Sequence, residues 1–427
     1  MTNLLSTSAG PNRRSGATPM LAWYLELGTK ERRTFWACFG GWALDAFDVQ
    51  IYSFVVPSLM LLWNIDKSQA GLLATSALLV SALGGWVAGM LADRIGRVRL
   101  LQITIAWFAF FTFLSGFTNN FGELLLVRGL QGFGFGGEWA AGSVLIGEAI
   151  RAEHRGKAVG TVQSAWAWGW GAAAIMATLA FQFLPQDWAW RVMFFLGLLP
   201  AGVVFFLRRF VPEPEVFVGS LTSAPKRSLL DIFSAELLPT TVLGSLLAIG
   251  AQGGYYAITT WLPTFLRTER HLTVVGSGGY LAVIILGSFL GYVTSAFLSD
   301  AIGRRRNFFL FAIGSIAIAI GYTQFALSDA VMLVLGFPLG FFSAGIFSGM
   351  GPLYTELFPT SLRGTGQGFC YNFGRGIAAL FPTLVGWLSS SLSLGVAIGL
   401  FAAGAYALVI IAALLLPETR GRELQAN

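Results

Sequence analysis

The chain has 427 residues, of which 55% are hydrophobic and 11% charged, with a mean hydropathy of +0.68. A soluble domain carries about 25% charged residues, so the composition excludes that class and points to an all-α polytopic membrane bundle. The net charge of +6 is not a nucleic-acid footprint, because the basic residues are scattered over successive loops rather than gathered on one face.

The first twenty residues hold no apolar h-region, so no cleavable signal peptide is expected. Met1 to about Gly28 is polar and reads as a mobile tail. Twelve apolar spans follow, at roughly 34–62, 70–92, 99–118, 122–148, 157–184, 190–210, 238–266, 276–299, 306–327, 330–355, 364–389 and 394–416. Each is near or above the ~20 residues that a helix needs to cross the hydrocarbon. The organisation expected is a cytoplasmic tail (1–33), a six-helix bundle (34–211), a linker rich in proline and charge (212–237), a second six-helix bundle (238–416) and a short tail (417–427). Cys38 and Cys370 lie in apolar runs, which argues against a disulfide framework, and two histidines, His154 and His271, argue against a metal cluster.

Span 1 carries Asp45 and Asp48. An ionised carboxylate at that depth costs roughly 2.5 to 3.5 kcal/mol on insertion. Their spacing puts both acids on one side of the helix, about 60° apart. Two such carboxylates in a low dielectric do not ionise easily together, which suits proton carriage; the structural alternative is a hydrogen bond to a neighbouring helix. Span 4 has Arg128 near its outer end and Glu138 about 15 Å further in, either facing the cleft or as an ion pair that locks packing. The glycines 132, 134, 136 and 137 of the same span read as close helix contact. Span 5 places Gln163, Trp166 and Trp170 at helical spacing, with Trp168 opposite, and span 7 holds Gln252, Tyr255 and Tyr256. These rings suit stacking on an aromatic acid or, equally, plain packing. Arg375, near the middle of span 11, is the first choice for gripping a substrate carboxylate, because a guanidinium does so in a planar fork. Tyr371 and Asn372 lie one turn before it. The alternative role for Arg375 is to neutralise an acid of the other half.

With the N-terminus inside, 21 basic residues fall on inside segments and four outside (Lys67, Arg191, Arg267, Arg270), which predicts both termini in the cytoplasm. Three ordered matches at an offset of about 205 to 208 residues then reveal an internal repeat. Asp93-Arg94-Ile-Gly96-Arg97 after span 2 pairs with Asp300-Ala-Ile-Gly303-Arg304 after span 8. Glu148 with Arg155 after span 4 pairs with Glu356 and Arg363 after span 10. Pro212-Glu213 pairs with Pro417-Glu418. A duplicated six-helix unit places its substrate in the cleft between the repeats.

These residues carry a family resemblance over essentially the whole length. Gly89-x-x-x-Asp93-Arg94-x-Gly96-Arg97-x-Arg99, Arg128-Gly-Leu-Gln131-Gly132-Phe-Gly134 and Pro417-Glu418-Thr resemble the motifs of the major facilitator superfamily. Asp45-Ala-Phe-Asp48 resembles the signature of its aromatic acid:proton symporters, with Ala where that family has Gly. Gly136-Gly137-Glu138-Trp139 and Asn372-Phe-Gly-Arg375-Gly are closer to the sialate and monocarboxylate:proton symporters. The resemblance implies twelve helices around a cleft and participation of Arg128 in proton transfer. The charges Asp93, Arg94, Arg97, Glu148, Arg155, Asp300, Arg304, Glu356 and Arg363, with Gly89 and Gly96, are assigned to gating at the cytoplasmic surface, or else to topogenic charge alone. No phosphate-loop motif is present, so ATP is not the expected energy source, and neither cofactor nor metal is implied.

The expectation is a monomeric, proton-coupled importer in the bacterial inner membrane, not an enzyme, that takes up a small organic anion. Benzoate-type acids, muconate or muconolactone lead, and sialate or monocarboxylates follow. A facilitative sugar uniporter and a transporter-like membrane sensor are the rivals. Uptake insensitive to the proton gradient marks the first, and an added signalling domain marks the second.

Overall fold

The computed structural model describes residues 22–150, 152–198, 202, 211, 229–358 and 362–420. Six helices build the first half: α1 (Thr29–Trp63), α2 (Lys67–Ile95), α3 (Arg97–Ser115), α4 (Phe121–Ala149), α5 (Ala152–Phe183) and α6 (Gln186–Leu196). The second half holds α7 (Leu238–Thr268), α8 (Val274–Ile302), α9 (Arg304–Gln324), α10 (Asp329–Leu357), α11 (Arg363–Ala378), α12 (Phe381–Leu388) and α13 (Leu394–Leu415). Counting α11 and α12 as one broken span gives the twelve-helix architecture. Among the described residues, seven helices are long and apolar enough to cross a bilayer on length and composition alone.

Span 11 is not one continuous helix. Ala379 closes α11 by donating to the Arg375 carbonyl at 2.8 Å, and Pro382 sits in the first turn of α12. Proline lacks an N–H and crowds the preceding turn, so a helix breaks just ahead of it. Arg375 therefore lies in the last turn before a break.

The halves repeat in structure as in sequence. A Cβ at Gly132 would fall on the Ala77 carbonyl, and one at Gly340 on the Ile284 carbonyl. Gly84 meets Phe133 in the same way, and Gly291 meets Phe341. These paired positions are 207 or 208 residues apart. The glycine-rich run of α4 is thus close packing of α4 on α2, as its sequence suggests, and α10 on α8 is its counterpart. The turns between the second and third spans of each half also match. Gly96 has φ 98° and Gly303 has φ 100°, a left-handed conformation that glycine adopts without strain.

The two halves meet along three seams: α5 on α8, α1 on α7, and α2 on α11 and α12. At the third seam Thr75 donates to the Ala379 carbonyl at 2.5 Å and lies 2.7 Å from the Thr383 hydroxyl. That seam is at the end of the bundle remote from the termini. Trp168 is 63% exposed on the outside, where lipid lies, whereas Trp166 and Trp170 are buried. Residues Trp23 to Leu27, placed in the tail from sequence, pack on the start of α1. Trp23 sits edge-on to Phe35 at 5.9 Å, and Arg32 donates to the Leu25 carbonyl at 2.6 Å.

Candidate functional site: two polar clusters at the interface of the halves

The first cluster gathers around Asp48. It is buried on α1, with Thr112 of α3 and Gln131 of α4 against its two carboxylate oxygens. The Thr112 hydroxyl stands 2.5 Å from Oδ1, and the Gln131 amide nitrogen donates to Oδ2 and to Thr112 Oγ1 at 3.0 Å. On its other side, Gln131 Oε1 accepts from Arg128 Nη1 at 2.6 Å. Arg128 itself lies over the Tyr52 ring, 4.8 Å from its centroid. One buried acid, one amide and one guanidinium thus form a chain across two helices, with Thr112 adding a third, and the charges are near enough to interact. Arg128 thus connects to Asp48 through Gln131. Glu138 is buried lower on α4.

The second cluster surrounds Arg375. Among the largest fully buried side chains, it is the one that carries a charge. Its guanidinium is flanked by Phe135 of α4 at 4.9 Å and by Tyr371 at 5.1 Å. Nε and Nη1 are buried without a hydrogen-bond partner, an expensive condition for a cation in a dry interior. The Tyr256 and Tyr371 hydroxyl oxygens accept hydrogen bonds from the guanidinium. Asp45, fully buried on α1, lies in electrostatic reach of both Arg375 and Tyr371. The two acids, neighbours in sequence, are therefore felt by different cations: Asp48 by Arg128 in its own half, and Asp45 by Arg375 in the other.

The remaining expected residues line the same interface. The Trp166 indole donates to the Tyr255 hydroxyl at 2.6 Å, from one half to the other. Gln252 donates to the Tyr371 carbonyl at 2.9 Å and accepts from Tyr256 at 3.3 Å. Gln163 Oε1, Trp170 Nε1 and Asn372 Oδ1 are buried with no hydrogen-bond partner. Between the clusters lies a cavity of ≈ 20 Å³ lined by Gln50, Ser53, Arg128, Gln131, Phe135 and Tyr256 among others, room for a water or two. A pocket for a small organic molecule needs about 300 Å³ or more, so this cavity as it stands does not hold one.

Of the residues assigned to gating, Gly89, Asp93, Arg94, Arg97, Glu148, Arg155, Asp300 and Arg363 have side chains outside the described residues. Of the described ones, Arg304 and Glu356 pair with each other within the second half, at 2.7 Å, and Thr419 donates to Glu356 at 2.5 Å. Glu418 accepts from the backbone N–H groups of Arg304 at 2.9 Å, Arg305 at 3.2 Å, Thr419 at 3.0 Å and Arg420 at 3.0 Å. Burial acts to raise this carboxyl, but the four donors outweigh it and hold it below the usual range. Gly303 makes that approach possible, since a Cβ there would lie 2.7 Å from Glu418 Oε2.

Thr112 was missed at the sequence level, and Gln131 was read only as part of a motif. The available signal was a lone hydroxyl in the aromatic run Trp107-Phe-Ala-Phe-Phe-Thr112-Phe.

The comparisons agree with this architecture. The family model described as Major Facilitator Superfamily matches residues 38–297 and 281–427. The chain is 44% identical over 406 residues to a probable 4-methylmuconolactone transporter of Cupriavidus pinatubonensis, covering 94% of each chain. It is 31% identical over 384 residues to the cis,cis-muconate transport protein of Acinetobacter baylyi, covering 88% of this chain and 92% of the relative. Among solved structures, the proton:xylose symporter XylE superposes with a TM-score of 0.74 at 20% identity, covering 93% of this chain and 98% of XylE; at that identity the likeness speaks to the fold alone. A duplicated six-helix bundle, with buried charges at the interface of its halves and a family model matched in both, makes this chain a member of the major facilitator superfamily and an integral membrane protein.

Proposed function

We propose that the protein is a proton-coupled importer of small organic acids, with ring-cleavage acids of the muconate and muconolactone type as its substrate class. Arg375 carries the reading. A buried guanidinium with two free N–H edges, set between aromatic rings where the halves meet, suits a carboxylate on a small unsaturated skeleton. The names of the relatives at 44% and 31% identity point to the same chemistry.

Coupling follows from the charge arrangement. A substrate carboxylate and Asp45 compete for Arg375, so protonation of Asp45 releases the guanidinium for the substrate. Asp48 takes or gives a second charge beside Arg128, and its state alters how the first half holds that cation. Gln163, Trp166, Trp170, Gln252, Tyr255, Tyr371 and Asn372 shape the ligand space once the halves part. Rocking of the halves then exposes the site to each side in turn. The cytoplasmic charges, among them the Arg304–Glu356 pair within the second half, are assigned to gating, and the basic-residue asymmetry puts them on the cytoplasmic side. The functional unit is a monomer of the bacterial inner membrane.

Uptake into liposomes containing the purified protein tests this. With an inward proton gradient, labelled cis,cis-muconate or muconolactone accumulates, uptake rises from about pH 8 to pH 6, and a protonophore abolishes accumulation. Accumulation that persists with the protonophore present would falsify symport.

A further inference from the structure

Thr112 has one hydroxyl proton and two acceptors for it. Its Oγ1 lies 2.8 Å from the Phe108 carbonyl, one turn back on α3, and 2.5 Å from Asp48 Oδ1. The Gln131 amide fills another position by donating to Oγ1 at 3.0 Å. When Thr112 donates to Asp48, the carboxylate is ionised and the Phe108 carbonyl keeps only its helical bond. When Thr112 donates to Phe108, the short contact to Oδ1 needs a proton of its own, and it can only come from a protonated Asp48 that donates to Thr112. The same heavy-atom positions therefore satisfy both protonation states, and one hydroxyl rotation separates them.

Resting on the proposed proton-coupled function, the geometry points to Thr112 as a hydroxyl switch that gives Asp48 a hydrogen-bond partner whether charged or neutral. Loading a proton on Asp48 then needs no repacking of α1 against α3. The carboxylate gains the proton, the Thr112 hydroxyl turns from Asp48 to the Phe108 carbonyl, and no other bond is made or broken. The lost negative charge is felt by Arg128 through Gln131, whose amide nitrogen faces the acid and whose oxygen faces the guanidinium. Thr112 is a positioning residue, and Asp48 remains the proton carrier.

Arg128 is the charge closest in effect to Asp48. On α1 itself, Asp45 turns to Arg375 and Tyr371, and Tyr52 lies under Arg128. Helix α7 brings Tyr255 and Tyr256, and α4 brings Glu138 further along. Lys67, Asp93 and Arg94 of α2, Arg97 and Arg99 of α3, Asp187 and Arg191 of α6, and Glu153, His154, Arg155 and Lys157 of α5 lie at helix ends. Thr112 and Gln131 are the hydrogen-bonding groups directly against the carboxylate.

The test compares Thr112→Val, Thr112→Ser and Asp48→Asn in liposomes, reading the pH midpoint of substrate uptake. It also reads the infrared carbonyl stretch of the protonated Asp48 side chain in protein labelled with ¹³C-aspartate, with Asp48→Asn subtracted. Valine removes a donor to the charged form, which is worth more than the acceptor it removes from the neutral form. The uptake midpoint should therefore move up by about one pH unit, and the carbonyl stretch should rise as its partner is lost. Serine should bring both readings back toward the parent protein. If Thr112→Val does not fold, Thr112→Ala is read in the same way. An unmoved midpoint and an unmoved stretch in a folded Val or Ala variant overturn the switch. Failure of the underlying function looks different: a protonophore would then leave accumulation by the parent protein intact, whereas protonophore-sensitive uptake that Asp48→Asn leaves unchanged in amount and pH dependence would overturn the switch alone.

Discussion

Arg375 is buried with two nitrogens that have no hydrogen-bond partner. The sequence offered two roles for it, gripping a substrate or neutralising an acid of the other half, and the proposed function draws on both. Its unpartnered Nε and Nη1 leave an edge for a ligand, while Asp45 supplies compensating charge. If the guanidinium grips a carboxylate, Arg375→Lys loses the planar fork and about 2–5 kcal/mol of binding, roughly 30-fold or more in affinity. Ligand affinity of the folded variant in detergent checks this; an unchanged affinity moves the anion site elsewhere, with Arg128 next in line. Asp48 differs, because its partners belong to the first half alone. Asp48→Asn should stop uphill accumulation but spare exchange of labelled for unlabelled substrate down no gradient. Loss of exchange together with accumulation would mean that the acid serves binding or folding instead of coupling.

At the scale of elements, the instructive case is the start of α9. Its first N–H groups face a carboxylate that arrives from the far end of the chain, because Glu418 follows α13 and caps a helix more than one hundred residues earlier. Such termini leave unsatisfied donors and a partial positive charge, and an acid there stabilises both. The folded-state carboxyl is held below the ordinary value of 4.5, so its contribution is present at neutral pH and is lost as pH falls through the depressed value. Glu418→Gln should therefore melt at a lower temperature than the parent protein at pH 7, and the difference should shrink toward about pH 3. Melting curves across that range check it, and a gap that stays constant with pH would assign the effect to packing. The Pro417-Glu418-Thr motif is legible in the sequence, but its target is not, since nothing local ties residue 418 to residue 304.

At the scale of the whole molecule, the seam between α2 and α11–α12 has a mechanical consequence. Thr75 touches Ala379 and Thr383 directly, and the small cavity beyond it cannot admit an organic acid. Alternating access requires this contact to part. A Thr75→Cys/Thr383→Cys protein should cross-link on oxidation, since the two hydroxyls stand 2.7 Å apart and disulfides form where side chains already approach that closely. Uptake should fall to background when oxidised and recover on reduction. Unimpaired uptake in a fully cross-linked sample would show that this seam does not open. Cys38 and Cys370 are buried and unpaired by a disulfide, so they offer little competition.

How much of this was legible beforehand follows from what kind of signal each feature leaves. Membrane class, twelve spans and the duplicated half are written in composition, run length and motif spacing, because a bilayer forces each crossing to be a long apolar helix that satisfies its own backbone. The same logic made Asp45, Asp48, Arg128 and Arg375 stand out, since each ionisable group within a span is conspicuous by its cost. Which acid meets which cation was not legible. Asp45 and Asp48 are three residues apart and similar in sequence context, yet small rotations about one helix axis send one to α11 and the other to α3 and α4. Thr112 and Gln131 carry no charge and so no insertion cost that marks them, and they became visible only when three helices brought them to one carboxylate. The reach of Glu418 to α9 likewise depends on packing between distant segments, whereas the break after Arg375 has a local cause in Pro382. The sequence by itself determined the bundle, its repeat and the charges it must bury; the tertiary structure alone decided their partners, because helix rotation and long-range contact leave no periodic trace along the chain.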